Sequence, residues 1–210
     1  MDTLVEPRRT DRRTAAWLLA LSPLAFVVVT AAGAATFPAS GVDDTSLMSP
    51  DQMDDIRTAW LLFWPVYAAA VVIGAVALVM VARGLVGPLA RAAQVAAGLS
   101  VVSILGNLVL NWAMTGFDQP RMGEHPLYDP SIFLSLLAIW FGALGAGLVG
   151  LALRAGGRLR RTGLVVAVLA AVLIVVDTTL TQGAIPPFAV SFLWLALGVG
   201  LLRSRVPSSS

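Results

Sequence analysis

Six polar side chains stand where this sequence otherwise reads as hydrocarbon or as its border. Asp177 falls near the end of the apolar run VLIVVDTTLTQG. Asn107 and Asn111 lie one helical turn apart in a second apolar run. Arg121, Glu124 and His125 sit in the proline-punctuated segment GFDQPRMGEHPLYDPS. A carboxylate at the centre of a bilayer costs about 2.5–3.5 kcal/mol, and less towards the interface, so an ionisable residue in such a run is a functional hypothesis by default. One carboxylate and two carboxamides, joined by Thr178 and Gln182 and closed over by the loop residues, would make a polar lining for a small or lipid-like molecule. The plainer alternative makes Asp177 interfacial, capping a helix or paired with Arg121 or Arg57, with the asparagines bridging helices.

Other chemistries lack their residues. The chain has no cysteine and no lysine, so thiolate metal sites, disulfides and Schiff bases are excluded. His125 is the only histidine, too few for the imidazole set a transition metal usually takes. The groups Asp43–Asp44 and Asp51–Asp54–Asp55 lack the ligand order of a calcium loop and read as a solvated acidic loop. No nucleophile elbow, zinc-protease helix or phosphate-cradling glycine loop is present. No catalytic residue, metal ligand or cofactor is therefore assigned, and an intramembrane enzyme ranks third among the readings.

The elements that must position these residues follow from composition. Of 210 residues, 58% are hydrophobic and only 12% charged, against about 25% charged in a soluble domain. Several uncharged runs approach the roughly 20 residues that span a bilayer. The reading is all-α, a polytopic membrane protein with a bundle of six transmembrane helices near 14–36, 58–82, 89–114, 131–153, 162–181 and 187–202. Residues 1–13 form a basic N-terminal segment, 14–202 the membrane domain and 203–210 a tail.

Charge gives the threading. All fourteen basic residues are arginine, and twelve of them fall at alternate connections and both termini, leaving Arg57 and Arg121 with the acidic connections. Arginine excess marks the cytoplasmic face, so both termini are expected inside. The arginines are dispersed at the ends of apolar runs, which speaks against nucleic acid as a partner. The first run also has the basic start of a signal peptide, but its apolar part is longer than a usual signal core, and it is read as a retained helix. Arginine-only, Ala/Val/Leu/Gly-rich usage points to a high-GC bacterium, and hence to its cytoplasmic membrane.

Finer signals concern helix ends and faces. Ser49-Pro50-Asp51-Gln52 reads as a capping box that starts the second helix outside the membrane, with Met53, Ile56 and Trp60 on one face. Asp129-Pro130 reads as the start of the fourth helix. Trp60, Trp64 and Trp112 are expected near the outer interface, Trp17 near the inner one, and Trp140 and Trp194 deeper. Gly142, Ala146 and Gly150 recur every four residues, a face for close helix packing, either within the bundle or against another subunit. Asn107 lies sixteen residues after Arg91, and Asp177 sixteen after Arg161. That is about 24 Å of helix in each case, the same depth, and it raises the idea of two parallel hairpin repeats.

The leading expectation is a protein that binds or translocates a small or lipid-like molecule through an outward-facing polar cavity. The alternative is a non-catalytic membrane subunit acting through helix–helix contacts. The expected partners are the bilayer, a small molecule or lipid, and either a second copy or another membrane protein.

Overall fold

The computed structural model describes residues 9–39, 41, 44–157, 159–181 and 188–204. Gln182 and Pro187, together with Arg8, Asp43, Arg158 and Arg205 of the charge pattern, lie outside the described residues. The described chain is all-helical: α1 (Arg9–Ala39), α2 (Pro50–Arg83), α3 (Pro88–Ala113), α4 (Tyr128–Ala155), α5 (Arg160–Val176) and α6 (Phe188–Arg203). Five of them, α1 to α5, are long and apolar enough to cross a membrane, and α6 is a shorter apolar helix. Helices are the expected answer to a solvent without hydrogen-bonding capacity, because they satisfy every backbone group within the segment.

Each helix packs against the next from α1 to α5, and α6 returns to α1. Arg12 donates to Ser204 Oγ at 3.0 Å, tying the start of α1 to the end of α6. The α5–α6 contact is slight by comparison. At the α2–α3 and α4–α5 turns stand Arg83, Arg91, Arg154, Arg160 and Arg161, while Asp44, Asp51, Asp54, Asp55, Asp118, Glu124 and Asp129 fall with Arg57 and Arg121 in or beside the α1–α2 and α3–α4 connections.

Packing relies on missing side chains. Gly150 of α4 and Gly163 of α5 meet backbone to backbone, so that a Cβ on Gly150 would lie 2.6 Å from the Gly163 carbonyl oxygen. Gly198 of α6 presses on α1, where a Cβ would lie 2.7 Å from Ala20 N and 2.8 Å from Ala16 O. The indole of Trp194 is buried against Gly74 of α2 and Gly142 of α4. Among lipid tails there is no hydrophobic drive between helices, so close approach and dispersion must supply the adhesion.

The capping box at the start of α2 forms as expected. Gln52 N donates to Ser49 Oγ at 3.3 Å and Ser49 N to Gln52 Oε1 at 3.0 Å. The helix then runs 34 residues without a break, about 51 Å against a hydrocarbon core of about 30 Å. Its overhanging turns carry Met53, Ile56 and Trp60 into a second apolar core with Met48, Met114, Phe117 and Met122. Met122 N donates to Met48 O at 2.9 Å, joining the two connecting segments. Nearby, Asp44 caps a short 3-10 turn by accepting from Ser46 N at 2.8 Å, and the side chain and then the backbone N–H of Ser46 hold its carboxyl below the usual value. Unbranched thioethers suit such a cap, since they fill irregular gaps.

One expected boundary moves. Helix α4 begins at Tyr128, with Leu127 as its N-cap and no side-chain cap bond, so Asp129-Pro130 falls inside the first turn. Tyr128 N donates to His125 O at 2.9 Å, and this bond carries the chain into the helix a residue before the aspartate. Proline is tolerated there because first-turn N–H groups have no intrahelical acceptor.

Two substitutions test this packing. Ser49→Ala should lower stability by about 1 kcal/mol and speed amide exchange over residues 50–56, leaving the membrane part of α2 protected. Gly163→Val should drive α4 and α5 apart and lower the thermal midpoint well beyond the effect of Gly98→Val, since nothing lies near the Gly98 Cβ position in α3.

Candidate functional site

Helix α4 collects the polar groups of its neighbours. Near its start, the Ser131 carbonyl accepts from Asn107 Nδ2 of α3 at 2.6 Å. Two turns deeper, the Ala138 carbonyl accepts from Ser100 Oγ at 2.7 Å. The seven-residue spacing on both helices makes these two rungs of one antiparallel seam. Between them, Ser135 and the buried Tyr67 of α2 line one small cavity. Deeper still, Trp140 Nε1 donates to Asp177 Oδ2 at 2.7 Å, and the Gly142 carbonyl accepts from Trp194 Nε1 at 3.5 Å.

Asp177 is completely buried. It follows the last residue of α5, and Asp177–Thr181 continue as a π-helical turn. Thr178 Oγ1 caps the Ile174 carbonyl at 2.8 Å and Thr179 Oγ1 the Val175 carbonyl at 2.6 Å. The widened turn leaves carbonyls without their regular donors, and the threonines supply hydroxyls. π-turns are rare and frequently mark functional positions. An indole N–H is a donor only, so it matches the acceptor oxygens of a carboxylate.

The two asparagines stay together. Asn111 Nδ2 donates to the Asn107 carbonyl at 2.9 Å, and Trp60 Nε1 to the Asn111 carbonyl at 3.1 Å. Asn107 Oδ1 is buried without a hydrogen-bond partner among the described residues. Asp177 stands apart from them. It is bonded at Trp140 and Asn107 at Ser131, positions nine residues apart on α4, or about 13 Å along the helix. The equal sixteen-residue spacing from the basic turns thus leads to different partner positions on α4. Helices of a bundle are staggered, so distance from a basic turn measures depth only along one helix. The hairpins also differ locally, since Asn107 lies inside a regular helix and Asp177 heads a π-turn.

Arg121 and Glu124 are exposed in the connection between α3 and α4, and His125 is half-buried there. His125 Nδ1 accepts from Leu127 N at 3.1 Å, which shapes the turn into α4. Among the described residues, no hydrogen bond or ion pair joins these three to Asp177 or the asparagines. Arg57 pairs with Asp54 on the surface of α2. Gly142, Ala146 and Gly150 are all buried, Gly142 against Trp194 and Gly150 against Gly163. Among the described residues, no three of His, Asp and Glu converge to hold a metal ion.

A small cavity lies among α1, α2, α3, α4 and α6. Its polar lining comes from Tyr67, Ser135 and Ser191, and its apolar walls include Phe26, Ile104 and Trp194. Its volume of about 10 Å³ is the space of roughly one water molecule. None of the six residues singled out in the sequence lines it. Tyr67, Ser135 and Ser191 escape sequence reading because single hydroxyls in apolar helices are common, and only the bundle's rotations bring them together. The signal that was available is Trp140, whose depth within a span implies a partner for its N–H.

Trp140→Phe should lower stability by about 1 kcal/mol by removing the indole donor from the buried Asp177 carboxyl. In a double-mutant cycle with Asp177→Asn, read by unfolding in detergent, the joint loss should fall short of the sum of the two.

Comparison with known protein families, curated proteins and solved structures returns no match.

Proposed function

We propose that this chain is a bacterial cytoplasmic-membrane protein, with both termini inside, that binds or moves a small or lipid-like molecule through a polar site in the outward half of its bundle. The observation that carries the reading is Asp177: a completely buried carboxyl at a π-turn, held by the indole of Trp140. Ionisable groups within spans are rare and concentrate where a substrate or ion passes. The hydroxyl-lined cavity of Tyr67, Ser135 and Ser191 borders the same stretch of α4, since Ala138 and Ile139 of its wall directly precede Trp140.

The arrangement has the character of a closed state. A cavity of about 10 Å³ admits water and excludes any larger guest. The slight α5–α6 contact makes this junction the easiest to open, and the π-turn of Asp177 lies at its edge. A guest would exchange its own hydrogen bonds for those of Asp177 and the cavity hydroxyls, so the cargo expected is a compact molecule with a donor group and an apolar body. The small-residue face of α4 is occupied inside the bundle, and the structure offers no comparable reason to favour a purely scaffolding role.

The test is native mass spectrometry of protein released gently from its own membrane, beside the Asp177→Asn variant. A bound molecule is expected on the wild type and is lost, or bound at least tenfold more weakly, in a variant that keeps its helicity and thermal midpoint. A folded Asp177→Asn protein that retains the same molecule in full sinks the proposal.

A further inference from the structure

At the arginine end of the bundle, an open groove of about 400 Å³ is lined by Arg154, Arg160, Arg161 and Leu164. We propose that this groove binds the phosphate of an anionic phospholipid. The charge is concentrated and uncompensated. From Pro130 to Val176 the chain contains no Asp or Glu, and among the described residues none of the three guanidinium groups has a carboxylate partner. All three arginines are exposed. A guanidinium presents a planar fork of donors that matches phosphate oxygens two at a time, and three around one groove can saturate a single phosphate.

The surroundings select a lipid rather than a free anion. Leu164 forms the apolar side of the groove, and the exposed ridge Leu164, Val168, Val172 and Val175 runs on along the same face of α5. The span of α5 is also the least buried of the five, so this ridge is presented outward. A molecule with a phosphate at one end and acyl chains at the other fits both parts at once. Basic pockets between helices at the membrane border recognise anionic headgroups in this way, whereas arginines needed only for orientation have no reason to converge on one groove. The inference is independent of any role for Asp177.

The experiment measures lipid binding to the full chain in detergent by native mass spectrometry. The probes are phosphatidylglycerol, cardiolipin, phosphatidylcholine and inorganic phosphate. The wild type should retain the two anionic lipids and shed phosphatidylcholine. R154Q/R160Q/R161Q should bind the anionic lipids on the order of a hundredfold more weakly, and R83Q/R91Q, at the other arginine-bearing turn, should leave binding unchanged. If the triple variant does not fold, R161Q alone should show a smaller loss of the same selectivity. Equal retention of phosphatidylglycerol and phosphatidylcholine by the wild type overturns the proposal, as does an equal loss in both charge variants. Inorganic phosphate bound as tightly as the lipids overturns the lipid assignment by making the groove a free-anion site.

Discussion

The bundle is organised by one requirement: a polar group in an apolar solvent must find its partner on another helix, and α4 provides those partners. Its carbonyls and side chains meet Asn107 and Ser100 of α3, Asp177 just past the end of α5 and Trp194 of α6. Each such bond is worth only about 0.6 kcal/mol on average in membrane helices. Their value lies in register. A helix that slid by one turn would strand several of these groups together, so the polar contacts select one alignment among many that dispersion alone would leave nearly equal.

The glycines act on the same helix by a different means. Trp194 fills the space where Gly74 and Gly142 lack side chains, and Gly150 and Gly163 bring two backbones together. Both devices convert absent atoms into contact area, which matters where lipid tails compete equally for every apolar surface. The resulting bundle is uneven. Helices α1 to α4 and α6 surround the cavity, while α5 leans on α4 and only lightly on α6.

Features that depend on one segment were legible in the sequence. The capping box at Ser49 and Gln52, the continuous helix after it and the shared face of Met53, Ile56 and Trp60 all follow from local rules. The arginine–aspartate alternation likewise separates the two ends of the bundle. Features that depend on two segments were not legible. Asn107 and Asp177 share a spacing from their basic turns but reach different levels of α4, because stagger and rotation are properties of pairs of helices. The cavity hydroxyls belong to three helices, and no periodicity within one of them singles out Tyr67, Ser135 or Ser191. The early start of α4 is intermediate: a backbone bond from Tyr128 to His125 outranks the proline signal two residues on.

The overhang of α2 has a mechanical consequence. A helix is stiff along its axis, and this one carries the methionine-rich cap on its outer turns and Tyr67, Gly74 and the cavity wall on its inner ones. A load applied to the cap is therefore delivered along a single rod to the centre of the bundle. Between the two lies Pro65, which has no N–H for the Leu61 carbonyl and so removes one link from the ladder. The hydrogen-bond ladder of α2 is therefore weakest one turn before Tyr67, beside the cavity.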